Sequence, residues 1–229
     1  MHQGAGMSDT DSFIDEVTEE VRRDRMYFLL RRYGWIAAVV VVGVVGGAAF
    51  NEIRKSQATA SAQELGDNII AALAVNEAAD RATNLAAIET SLPGGQAVVD
   101  MLTAAARANS DQVGAAVEGL NAVARNGELP EIYRHIASFK ALTLQTDTLP
   151  VADRRQQFSA LAAPGAPLRL LAEEQLALID VSEGDAQAAI DRLQSILQDS
   201  EATADLQQRA SQLIVALGAT PEPLPGQQG

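Results

Sequence analysis

Seventeen consecutive residues from Gly34 to Phe50, GWIAAVVVVGVVGGAAF, carry no charge, and basic residues close the run on both sides: Arg31 and Arg32 before it, Arg54 and Lys55 after it. As an α-helix this run is about 26 Å long, slightly short of a hydrocarbon core of about 30 Å, and snorkelling basic ends cover the difference. Its large apolar residues besides Trp35 are Ile36, six valines and Phe50. Each contributes about −0.3 to −0.6 kcal/mol to insertion, about −2 to −5 kcal/mol together. A buried helix of a soluble domain keeps a polar face over such a length, and this run has none. Tyr33 and Trp35 stand where an interfacial aromatic belt places its rings. The run therefore predicts one transmembrane helix at 34–50.

Direction follows from the flanking cations. Arg22, Arg23, Arg25, Arg31 and Arg32 precede the span, against Arg54 and Lys55 after it. By the positive-inside rule the N-terminus stays in the cytoplasm and the C-terminal domain lies outside, in the periplasm of a bacterial-type inner membrane. A cleaved signal peptide is the rival reading, because Ala58-Thr59-Ala60 and Ala60-Ser61-Ala62 look like small-residue cleavage sites. The late start of the basic region, the length of the apolar run and the intervening Glu52, Arg54 and Lys55 favour an uncleaved anchor. Met7 opens a more natural cytoplasmic head than Met1. Within that head, residues 1–33, Ile14, Val17 and Val21 recur at helical spacing ahead of Tyr27, Phe28, Leu29 and Leu30. The pattern fits a helix at the membrane interface, or a plain solvated helix given Asp15, Glu16, Glu19 and Glu20. Inside the span, Gly43 and Gly47, continued by Asn51, form one stripe of small residues on which a second membrane helix can pack.

Net charge is −13, and its distribution matters more than its size. Residues 1–55 hold 7 basic and 8 acidic side chains of the chain's 17 and 30, which leaves 10 and 22, net −12, for residues 56–229. Such a surface repels nucleic-acid phosphates and anionic head groups, so nucleic acid is not expected as a ligand. A basic protein partner remains compatible. The chain has no cysteine, which excludes disulfides and thiolate metal sites.

Hydrophobicity is 47% but aromatics only 4%, so the core rests on Ala, Leu, Val and Ile. With so many strong helix formers, the expected class is all-α. Leu65, Ile69 and Leu73 extend a helical pattern beyond the span. Further helices are predicted near 79–91, 97–109, 112–125, 131–145, 151–161, 168–183, 186–199 and 203–217. The punctuation between them is Pro93-Gly94-Gly95, Asn126-Gly127 with Pro130, Pro150, Pro164-Gly165 with Pro167, and Gly184. The outer domain so outlined covers 51–218, and residues 219–229, rich in proline and glycine, are expected as a disordered tail.

Two segments look alike at an offset of 73 positions. Ala115, Ala116, Val117, Leu120 and Val123 follow Asn109-Ser110-Asp111, just as Ala188, Ala189, Ile190, Leu193 and Ile196 follow Ser182-Glu183-Gly184. Half the offset, about 36, is close to the 34-residue period of tetratricopeptide units, with a degenerate unit between at roughly 131–165. Small residues such as Ala116 and Ala189 let two helices of a hairpin approach, while Leu120 and Leu193 fill the groove beside them. An irregular bundle is the alternative, since alanine-rich amphipathic helices match one another easily.

The order of parts resembles the YfgM-type family of bacterial inner-membrane proteins, ancillary subunits of the SecYEG translocon built on a tetratricopeptide-like domain. The likeness covers nearly the whole chain: a charged head, FIDEVTEEVRRDRMYFLLRRYGW, one short span, an outer helix, then AARANSDQVGAAVEGL and ALIDVSEGDAQAAIDRLQSIL. It implies contact with the translocon and with periplasmic folding helpers, especially a membrane-anchored prolyl-isomerase-like chaperone. The alanine-rich stretch from Asn76 to Leu92 and the proline-rich tail depart from the pattern.

Reactive groups do not converge in the sequence. His135 stands one turn after Glu131, but acyl-transfer chemistry also needs a nucleophile and an oxyanion site. A histidine on or beside a helix surface is the plainer reading. Glu173-Glu174 and Glu183 with Asp185 lack calcium-loop spacing and read as solvated helix faces and an N-terminal cap. Gly94-Gly95 lacks the spacing and lysine of a phosphate loop and reads as a turn. No cofactor or metal is expected. Two functions follow: a non-enzymatic adaptor whose outer domain binds protein segments, and, as the alternative, a structural or assembly subunit of another inner-membrane complex, such as a respiratory one, engaged through the Gly43 and Gly47 face.

Overall fold

The computed structural model describes the backbone of residues 8–223 and the side chains of residues 31–223 except Ala37. The readings on Ile14, Val17, Val21, Arg22, Arg23, Arg25 and the residues from Tyr27 to Leu30 concern side chains outside the described set. Among the described residues every regular element is helical: α1 (Ser8–Leu73), α2 (Ala78–Ala86), α3 (Pro93–Ala108), α4 (Val113–Arg125), α5 (Glu131–Leu144), α6 (Val151–Leu161), α7 (Arg169–Ser182), α8 (Ala186–Gln198) and α9 (Ala204–Ala216). The chain divides into two compact units, Met1–Ala62 and Gln63–Gly229.

In the first unit, α1 contains a stretch long and apolar enough to cross a membrane. Its valines from Val39 to Val45 are 58–70% exposed, as lipid-facing side chains are when protein does not cover them.

In the second unit the core passes from helix to helix in chain order. Ala72 of α1 packs with Ala82 and Leu85 of α2 and with Ala106 of α3. Another face of α3 gives Ala97, Met101 and Ala104 to a core shared with Ala116, Leu120 and Val123 of α4 and with Ala137 and Ala141 of α5. Leu142 of α5 joins Phe158 and Leu161 of α6 and Ala172, Leu176 and Ile179 of α7. Ala177 of α7 then joins Ala189, Leu193 and Ile196 of α8 and Leu206, Ala210 and Ile214 of α9. Thus α3, α5 and α7 each serve two cores. Alanine at the crossings brings helix axes close, and each buried leucine or isoleucine beside them contributes about 1.5–3 kcal/mol.

The likeness at 73 positions has a structural counterpart. Helices α4 and α8 are offset by 73 at both ends, 113 to 186 and 125 to 198, and α5 and α9 by 73 at their starts, 131 to 204. Buried positions keep the same offset: Ala104 with Ala177, Leu120 with Leu193, Ala137 with Ala210 and Ala141 with Ile214. Even the turn before the fourth and eighth helices matches. Asp185 N donates to Asp180 O and Gly184 N to Val181 O, with Gly184 at φ 85°. Gln112 N likewise donates to Arg107 O, 73 positions earlier, with Asp111 at φ 60° in the place of the glycine; the second bond differs, Ser110 N donating to Arg107 O. These bonds satisfy the last carbonyls of a helix and require a left-handed residue just beyond it.

Pro93-Gly94-Gly95 is not the inter-helix turn expected from its composition; it opens α3. Proline suits the first helical position because its missing N–H has no partner there in any case. Thr90 and Gln96 tie the preceding loop, with Thr90 N donating to Gln96 Oε1 and Leu92 N to Thr90 Oγ1. The glycines allow close approach: a Cβ at Gly95 would lie 2.6 Å from Leu65 Cδ2, and one at Gly94 3.3 Å from Tyr133 Oη.

Candidate interaction surface and its ion-pair frame

The residues singled out in the sequence fall into two classes. Ala116, Leu120, Ala189 and Leu193 are at most 1% exposed, so they hold helices together and cannot touch a partner. Gly43, Gly47 and Asn51 lie on one stripe of α1, and no atom comes within 4 Å of a Cβ built at either glycine. That stripe is open in the monomer.

His135 Nε2 lies 3.4 Å from Glu131 Oε1, one helical turn away. Its Nδ1 is buried without a hydrogen-bond partner. Among the described residues no group of three or more His, Asp or Glu is placed to hold a metal ion.

Of the carboxylates read as solvated faces, Glu183 is exposed, Glu173 is half-buried and Glu174 is a correction, because it is buried. Helix α7 presents them to arginines of three other helices. Glu174, 7% exposed, receives two bonds of 2.8 Å from Nε and Nη2 of Arg209 on α9. Glu173 pairs with Arg192 of α8. Asp180, 3% exposed, lies between Arg155 of α6 at 2.6 Å and Arg192 at 3.1 Å. Glu183 completes the pairing of Arg155. Burial explains the arrangement, because a carboxylate removed from water is tolerated only when a cation and its hydrogen bonds replace the lost hydration. The expected cap is present: Asp185 Oδ1 accepts from Ala188 N at 3.0 Å.

At the base of α7, Arg169 bridges Asp199 at 2.8 Å and Glu201 at 2.7 Å in the loop between α8 and α9. The Glu201 N–H and then the Arg169 guanidinium hold the Asp199 carboxyl below its usual range. Bonds to Glu201 and Asp199 raise Arg169 in turn, and the bond to Asp180 raises Arg155. Arg169, Glu173, Asp191, Arg192 and Asp199 line a groove of about 480 Å³ between α7 and α8. Both of its arginines are already matched by carboxylates, so the groove is not built for a free anion.

No family model, curated protein or solved structure matches this chain.

One surface contact involves the segment expected to open the tail. Residues 219–223 lie along α8: Gln194 Nε2 donates to Thr220 O at 3.2 Å, Glu222 N donates to Gln194 Oε1 at 3.1 Å, and Gln198 Nε2 donates to Pro223 O at 3.2 Å. The rest of the tail, 224–229, lies outside the described residues. Composition gave no warning of this contact, because proline and glycine there signal only the end of helix.

Proposed function

We propose that this chain is a membrane-anchored adaptor: a single span, N-terminus cytoplasmic, tethers a tetratricopeptide-like helical domain on the periplasmic side, where its surface binds protein segments. The observation that carries the proposal is the serial packing of the outer helices. Because α3, α5 and α7 each close two successive cores, the domain resembles stacked hairpins, and scaffolds of that kind offer long surfaces to extended or helical peptides. The arginine bias before the span supports the orientation, and the acidic outer surface favours a basic partner over nucleic acid or lipid head groups. By resemblance, the partners are subunits of the Sec translocon and membrane-anchored periplasmic chaperones.

Crosslinking from the outer domain in intact cells tests this reading. Recovery of translocon or chaperone components supports it, and recovery of unrelated envelope proteins alone rejects it. Deleting the outer domain while keeping the span distinguishes the alternative of a structural subunit held through Gly43 and Gly47: partner binding is lost for an adaptor and kept for a structural subunit.

A further inference from the structure

We propose that the outer face of α8 is a backbone-reading seat for an extended, proline-alternating segment of a partner protein, and that this chain's own C-terminal segment occupies it as an intramolecular mimic. The inference deepens the adaptor reading by naming a face and a ligand chemistry, and it rests on that reading for its biological use alone.

The contact has the form of peptide recognition. The Gln194 side-chain amide uses both its donor and its acceptor on one segment, giving its N–H to Thr220 O and taking the N–H of Glu222. The two backbone groups flank Pro221, so the amide spans a single x-Pro-x unit. One helical turn on, about 6 Å along the axis, Gln198 gives an N–H to Pro223 O. Every bond goes to main chain, so the seat reads backbone spacing and tolerates different side chains at the x positions. Proline suits it, since its fixed φ keeps the segment out of a helix and its missing N–H leaves no donor stranded. The sequence continues the alternation as TPEPLP, through Pro225. Upstream, Gly218 at φ 84° ends α9, and Ala219 packs on the core shared by α8 and α9, which delivers the segment to its seat.

A seat held by three exposed hydrogen bonds is exchangeable. A tethered segment competes at an effective concentration in the millimolar range, so the resident excludes weak partners and yields to a better-fitting or locally concentrated one.

The test uses a labelled synthetic peptide of residues 218–229, GATPEPLPGQQG, with fluorescence anisotropy as readout. A chain ending at Ala219 keeps the core contact and vacates the seat; it is expected to bind the peptide about tenfold more tightly than the full chain does. Gln194→Ala in the shortened chain is expected to abolish binding, whereas Asn121→Ala, at the equivalent position on α4, leaves it unchanged. Absence of binding to the folded shortened chain, or equal binding by the Gln194→Ala variant, overturns the proposal. In the isotope-labelled full chain, which needs no truncation, peptide in about tenfold excess over that effective concentration is expected to remove the exchange protection of the Glu222 amide; retained protection overturns it as well. Either failure leaves the crosslinking test of the adaptor standing by itself, and the reverse also holds.

Discussion

Glu174 and Arg209 face each other through two hydrogen bonds of 2.8 Å, at the positions that Met101 and Ile136 occupy 73 residues earlier. Met101 is buried in the core between α3, α4 and α5, and Ile136 packs against that core. The same place in the fold is thus apolar in one half of the domain and ionic in the other. Removing the arginine strands a buried carboxylate, so Arg209→Ala is expected to destabilise the domain by about 2 kcal/mol. The double change Glu174→Met with Arg209→Ile recreates the apolar pair and should cost less than the sum of the single changes. A double-mutant cycle by urea denaturation checks this; strict additivity contradicts it.

The matched turns allow a sharper comparison. Asp111 adopts φ 60° where Gly184 adopts 85°. A left-handed conformation costs an ordinary residue about 1 kcal/mol, and aspartate somewhat less. Asp111→Gly is therefore expected to stabilise the domain by about 0.5 kcal/mol, and Gly184→Ala to destabilise it by about 1 kcal/mol. Thermal denaturation of the two variants should show shifts of opposite sign.

Gly95 tests whether the start of α3 is glycine for reasons of space. Its added Cβ would meet Leu65 Cδ2 at 2.6 Å and Leu92 Cβ at 3.3 Å. Alanine is the better helix former by about 1 kcal/mol, but Leu65 must turn its terminal methyl aside to admit the Cβ, so Gly95→Ala should gain less than that. In a Leu65→Ala background the nearest obstacle is gone. There Gly95→Ala should stabilise by more than it does beside Leu65, and an equal effect in both backgrounds would contradict the steric account.

The depressed Asp199 gives the helical domain an acid-sensitive element. Its folded pKa lies below the unfolded value, so its contribution is complete above the ordinary aspartate range, about pH 4, and is lost as pH falls through the folded value. Arg169 is raised from an already high value and stays charged throughout. The melting temperature is expected to fall as pH drops below about 4. Asp199→Asn should lower it at neutral pH and reduce the acid-dependent fall; an unchanged pH profile in that variant would exclude this carboxylate as the cause.

Much of the fold was legible because it depends on local chemistry. The unbroken apolar run predicted the helix able to cross a membrane, and periodicity with proline and glycine punctuation placed α4, α6 and α8 to within about a residue of their bounds. Ala116, Leu120, Ala189 and Leu193 were recognisable as core because helix crossings demand small and branched residues at that spacing. The start of α3 was misplaced, since proline and glycine serve equally to end a helix, begin one or admit a neighbour. Only the position of Leu65 and Tyr133 distinguishes these uses.

The sequence by itself determined where charge is absent, where helices run and which of their faces are apolar, because those properties follow from neighbours within two turns. Tertiary structure decided which arginine meets Glu173, Glu174 and Asp180 and which surface receives Thr220 and Glu222. Those partners are 12 to 35 residues apart along the chain. No local pattern encodes such a pairing; the stacking of helices brings the groups together, and the cost of burying a lone charge keeps them there.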